Sequence, residues 1–203
     1  MTTNSPAVAV PPKLMTADEF WDFVHLPENE NKLLELVRGE VIEMPSPMKI
    51  HGVVCGNIAR LLGNYSFEVG KGYITTNDSG VILERDPDTV RGPDVAYYTD
   101  AEAYSDLHPK WGETPPILAV EVLSPSDKWH KVAQKIATYL DSGVLIVWLV
   151  DTEEQFVTVY RLHHSPQVLD RHQELAPEEL PGFRSRVGTF FRLPGDKPIP
   201  PSV

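Results

Sequence analysis

The sequence predicts an α/β (α+β) domain with a mixed β-sheet flanked by helices, and three patterns carry that prediction. Six of the seven residues at 117–123 are apolar, and 144–150 is apolar throughout. Both runs are too short for buried helices, so they read as strands covered on both faces. Between them, residues 128–140 repeat apolar side chains at helical spacing. A strand–helix–strand passage crosses over right-handed and makes a parallel pair. Residues 32–44 and 155–162 alternate instead like half-exposed hairpin strands, which adds antiparallel pairs to the same sheet.

The elements follow in order. Residues 1–13 carry proline and small residues without periodicity and predict a loose arm ahead of a single domain over 14–193. Residues 194–203 are too proline-rich for regular structure. Thr16-Ala17-Asp18-Glu19 is a capping box that opens a short helix bearing Phe20, Trp21 and Phe23. Two strands flank the Arg38-Gly39 turn, and Ser46-Pro47 stops the second. Val54, Ile58, Leu61 and Leu62 give an amphipathic helix over 50–62, ended by Gly63-Asn64. Residues 73–98 hold two or three strands, with a turn at Asp86-Pro87-Asp88 leading to the strand after Asp94. A long polar loop covers 101–116, and Asp141-Ser142-Gly143 closes the later helix.

Composition narrows the function classes. A chain of 203 residues with 41% hydrophobic and 23% charged residues has the balance of one ordinary globular domain. No apolar run approaches the ~18 residues of a membrane span, and no signal-peptide pattern is visible, so cytoplasm is the expected compartment. The single cysteine, Cys55, excludes an internal disulfide framework and an all-cysteine zinc cluster. A net charge of −11 disfavours broad adhesion to nucleic acid. Two basic islands partly restore it: Lys128, His130, Lys131 and Lys135, and Arg184, Arg186 and Arg192.

The chemistry concentrates around one acid. Glu121 stands in the middle of the apolar 117–123 run. A buried charge without a partner costs several kcal/mol, roughly, so a partner, a metal or a raised pKa is required. Gly92-Pro93-Asp94 puts a second carboxylate at the mouth of another strand. On a helical wheel Val132, Ile136, Tyr139 and Leu140 share the packing face, Lys135 lies at its edge, and Gln134 points away. A lysine at a stripe edge lays its stem on the core and carries its ammonium to the sheet end. Two acids and a lysine suit metal-assisted hydrolysis of a phosphodiester. The acids hold Mg²⁺, with Mn²⁺ as a substitute, and the lysine orients water or offsets developing charge.

Pro93-Asp94, the run Glu121-Val-Leu-Ser-Pro-Ser-Asp127, Lys135, and the pattern Tyr139…Gly143…Trp148-Leu-Val-Asp151 together resemble the Uma2 family (DUF820). The likeness extends back through Leu34-Glu35-Leu-Val-Arg-Gly-Glu40 and Pro47…His51, and covers roughly 15–190. It implies a restriction-endonuclease-like fold of the PD-(D/E)XK superfamily and an endonuclease acting on nucleic acid, DNA first. It also implies Asp94, Glu121 and Lys135 as catalytic residues. Asp94, Glu121 and the Val122 carbonyl would be the metal ligands. The superfamily lysine usually lies two residues after the glutamate, where this chain has Leu123, so the resemblance moves that role to Lys135. Glu35 or Glu40 becomes an auxiliary metal or water contact. Two strands to cut imply a homodimer.

Other residues read differently. Ser124 and Ser126 read as helix caps, since Ser124-Pro-Ser-Asp127 matches a capping box with proline at the first helical position. His51, at a helix start, reads as a cap, a core contact or an auxiliary site residue. His163-His164 lacks the i, i+4 partner of a zinc pair. Trp111, Trp129 and Trp148 read as core or interface residues. Two rival functions stay open: a non-catalytic binding or regulatory protein on the same fold, and a metal-dependent hydrolase of small phosphoesters.

Overall fold

The computed structural model of the protein describes residues 14–125 and 127–197; the expected N-terminal arm, Ser126 and the last six tail residues lie outside them. Thr16 caps helix α1 (Ala17–Val24): its side chain accepts from the Glu19 amide while Glu19 reaches back to the Thr16 amide. Strands β1 (Leu33–Val37) and β2 (Glu40–Met44) pair antiparallel around the Arg38-Gly39 turn. Both turn residues have positive φ, 50° and 80°, which suits the glycine and strains the arginine.

Helix α2 (Lys49–Val69) is longer than its sequence signal. Gly63 and Asn64 do not stop it; the helix ends at Gly70, in the left-handed region at φ 64°. Tyr65 and Ser66 are buried beyond the glycine, and this packing outweighs the low helix propensity of Gly63-Asn64. Residues 73–98 form four strands: β3 (Tyr73–Thr76), β4 (Val81–Glu84), β5 (Thr89–Arg91) and β6 (Val95–Tyr98). The Asp86-Pro87-Asp88 turn joins β4 to β5, one strand earlier than the sequence suggested. The rest comprises β7 (Leu118–Val122), α3 (Trp129–Asp141), β8 (Ile146–Asp151) and β9 (Phe156–Tyr160). Short strands β10 (Gln167–Leu169), β11 (Glu174–Leu175) and β12 (Ser185–Arg186) follow.

The strands divide into a six-stranded mixed sheet, ordered β10-β9-β8-β7-β6-β3, a four-stranded sheet, β2-β1-β5-β4, and the β11-β12 pair. One continuous sheet is therefore corrected to separate sheets. Gly92, Pro93 and Asp94 connect β5 to β6, and the chain changes sheet across those three residues. Within the large sheet β7 and β8 run parallel, joined through α3, and the other neighbours are antiparallel.

Alternation along β7 separates two cores. Leu118, Val120 and Val122 pack with Val54, Ile58 and Leu62 of α2 and with Trp148. Ala119 packs on the other face with Ile136 and Tyr139 of α3. Glu121 shares the parity of Ala119, so it belongs to the α3 face. The small sheet closes over α1 through Phe20, Leu36 and Val90, and Trp111 stacks on Phe20 at 5.5 Å. Trp148 is fully buried, whereas Trp129 at the start of α3 is exposed. The expected Ser124 cap is replaced: Asp127 accepts from the Ser124 amide at 2.8 Å, and α3 begins two residues beyond it, at Trp129. Among the described residues, no helix is long and apolar enough to cross a membrane.

Candidate active site

Register brings the two acids together. Val95 pairs with Val120 in the antiparallel β6–β7 ladder, so the next step places Asp94 opposite Glu121. Opposed residues on antiparallel strands project to the same side with Cβ atoms about 5 Å apart. The Val122 amide donates to Asp94 Oδ2 at 2.6 Å and fixes that carboxylate across the strand ends.

Helix α3 supplies the cation. Lys135 Nζ donates to Glu121 Oε2 at 2.8 Å, to Glu35 Oε1 at 3.0 Å and to the Gly92 carbonyl at 3.3 Å. One turn on, the Tyr139 hydroxyl donates to Glu121 Oε1 at 2.7 Å. Glu35, on β1, also accepts from Arg91 at 2.7 Å and from the Gly92 amide at 3.1 Å. Glu35, Arg91 and Lys135 are all buried. From α2, His51 Nε2 stands 3.2 Å from Asp94 Oδ1.

The electrostatics follow from crowding. Burial raises Glu121 to about 8; Lys135 opposes the rise, and Asp94 and Glu35 add to it. Burial works against the Lys135 charge, yet Glu121, Glu35 and Asp94 hold its pKa above the usual lysine value. Glu35 is also penalised by burial, but Lys135 and Arg91 keep it below the ordinary glutamate range. Asp78 lies on the same cavity and rises to about 6 through burial and then Asp94. The hydrogen bond to Asp94 raises His51 against the pull of its own burial. Burial pushes the Cys55 thiol well up, with Asp94, Asp78 and Glu121 adding to the shift.

Of these groups His51, Asp78, Arg91, Asp94, Glu121 and Lys135 line a cavity of about 340 Å³, and Glu35, Tyr139 and Cys55 stand behind them. Its far wall is the apolar side of the β1–β2 hairpin (Leu33, Ile42, Met44), and Lys128 and Lys131 stand at the α3 side. Around Lys135 four carboxylates (Glu35, Asp78, Asp94, Glu121) face two permanent cations, Arg91 and Lys135. Oxygen donors on Asp94 and Glu121, beside this excess of acids over cations, fit a hard divalent cation, whose binding would displace the proton that burial holds on Glu121.

The site thus gathers Asp94, Glu121, Val122, Lys135, Glu35 and His51. Glu40 is apart: it is exposed on β2, opposite Val37, and is absent from the cavity lining. Sequence reasoning did not single out Arg91, Asp78, Tyr139 or Cys55 as site members. Tyr139 and Cys55 carried a signal, being four residues from Lys135 and His51 on their helices. Asp78 carried none, since a turn with φ 54° delivers it.

The Uma2 family model, described as "Putative restriction endonuclease", matches residues 20–188. The chain belongs to the Uma2 family. A solved structure from Anabaena variabilis ATCC 29413, titled a "putative nuclease belonging to DUF820", is similar to this Uma2 chain with a TM-score of 0.73. The two are 22% identical, and the likeness covers 87% of this chain and 97% of that one. At that identity the likeness speaks for the fold. Comparison with curated proteins gave no match.

Proposed function

We propose that this Uma2 protein is a Mg²⁺-dependent endonuclease that hydrolyses phosphodiester bonds of nucleic acid, with DNA as first substrate. The observation that carries the reading is the pair Asp94–Glu121 on facing strand ends with Lys135 2.8 Å from the glutamate. Asp94, Glu121 and the Val122 carbonyl would hold the cation. When bound, it supplies positive charge for the phosphoryl oxygen and acidifies water.

The chain's own residues prepare that site. The Val122 amide and His51 fix the two oxygens of Asp94. Tyr139 and Lys135 aim the two oxygens of Glu121. Lys135 favours the ionised form of Glu121 and offsets negative charge as it develops beside the cavity. Arg91 neutralises Glu35, which leaves Lys135 oriented between the two sheets. Lys128 and Lys131 line the cavity beside the start of α3, where substrate phosphates would meet them.

Cleavage of plasmid and oligonucleotide DNA with Mg²⁺ or Mn²⁺ tests the reading. Asp94→Ala, Glu121→Ala and Lys135→Ala should each lower the rate by about 100-fold or more. Equal cleavage by wild type and all three variants would assign the activity to a contaminant. Absence of both cleavage and Mg²⁺ heat in calorimetry would favour the non-catalytic scaffold. The net charge of −11 favours that scaffold over a nuclease, and it is no handicap to another reading, hydrolysis of small phosphoesters. Turnover of such esters without oligonucleotide cleavage would select it. We propose a homodimer as the unit that cuts both strands, tested by light scattering on the active fraction; a monomer making double-strand breaks would exclude it.

A further inference from the structure

Helix α2, which reaches the cavity through His51, carries donors of a different chemistry. His51 and Cys55 are separated by four residues on α2, so their side chains rise from one face of the helix. Cys55 Sγ lies 3.5 Å from His51 Nδ1, and His51 Nε2 lies 3.2 Å from Asp94 Oδ1, so the imidazole stands between the other two donors and would give an ion one of its nitrogens. One ligand atom from each of the three residues falls within 4.8 Å of the other two. Ligand atoms around one tetrahedral ion, bound at roughly 2.0–2.3 Å, stand roughly 3.3–3.8 Å apart. Side-chain rotation closes the remaining gap of about one ångström.

We propose that His51, Cys55 and Asp94 form a second metal site, selective for a borderline transition ion such as Zn²⁺ over Mg²⁺. Sulfur and imidazole donors select zinc-like ions, whereas Mg²⁺ demands oxygen. On binding, the metal–sulfur bond replaces the S–H bond of Cys55 and the proton passes to solvent. Three protein donors would leave the fourth position of a tetrahedral ion to water. Asp94 belongs to this set and to the proposed Mg²⁺ set, so a transition ion held here competes for the carboxylate that catalysis needs. Zn²⁺ would then restrain the nuclease.

Titration of Co²⁺ into the metal-free full-length protein tests the site without any activity assay. The chain has one cysteine, so thiolate-to-cobalt absorption can arise only from Cys55. The expected result is a one-to-one near-ultraviolet band, displaced by stoichiometric Zn²⁺ and weakened by Mg²⁺ only at large excess, through the shared Asp94. His51→Gln and Asp94→Asn should each weaken Co²⁺ binding at least about tenfold with helix content unchanged. No band in the wild type, or a band kept in both variants, would reduce the contact to an adventitious thiol and overturn the proposal. Should either variant fail to fold, alkylation of the wild type decides. Stoichiometric Zn²⁺ should protect Cys55 from iodoacetamide and Mg²⁺ should not; equal labelling with and without Zn²⁺ also overturns it. Neither readout depends on cleavage, so this site and the nuclease reading fail separately.

Discussion

Glu121 receives a hydrogen bond on each carboxylate oxygen, from Lys135 on one side and Tyr139 on the other. Burial nevertheless raises its pKa from 4.5 to about 8. The folded chain therefore holds this proton more tightly than the unfolded chain. The associated stability is fully present below about pH 4.5 and is lost as pH climbs through about 8. Asp78, raised to about 6, acts with the same sign. Glu35, held below its ordinary value, acts with the opposite sign and loses its contribution on acidification. The metal-free Tm of the wild type should fall across that interval, and Glu121→Gln should flatten the fall. Parallel Tm curves for the two proteins would assign the slope to other groups. Added Mg²⁺ should restore most of the lost Tm at the alkaline end, because a ligand of the folded state stabilises it by mass action.

At the scale of elements, α2 offers a stability test. Gly63 lies inside Lys49–Val69, and a Cβ built there meets nothing within 4 Å. Gly63→Ala should therefore stabilise the protein by about 0.5–1 kcal/mol, read from denaturant midpoints. An unchanged or lower midpoint would mean that the glycine serves packing after all. The same glycine shows what the sequence could disclose. Short-range signals were legible: the Thr16–Glu19 capping box, the Arg38-Gly39 hairpin, and the parallel β7–α3–β8 unit with Glu121 at its end. Gly63-Asn64 read as a stop because propensity is local, whereas the burial of Tyr65 and Ser66 is set by distant partners. The change of sheet at Gly92–Asp94 was likewise hidden, since strand pairing over fifty residues leaves no periodicity to read.

The whole molecule carries a charge of −11, while Lys128 and Lys131 line the cavity. Nucleic acid must therefore be met locally against a repulsive background, and binding should be weak and steeply salt-dependent. Lys128→Ala with Lys131→Ala should lower the slope of log K against log salt by about 2, measured by fluorescence anisotropy on a short duplex. A slope unchanged by the pair would move the phosphate contacts elsewhere, with the arginines of 184–192 next to examine. Long-range charge placement was only half legible: the lysine island stood out in the sequence, but its position beside Asp94 and Glu121 depends on the crossover that folds α3 back.

Lys135 touches Glu35 on the small sheet, Glu121 on the large one, and the Gly92 carbonyl on the connection between them. It works as a rivet through two plates and their hinge. Sliding one sheet over the other would tear the ammonium from a carboxylate and tug the same short linker that carries Asp94. Mechanical play between the plates is thereby tied to the spacing of the acids.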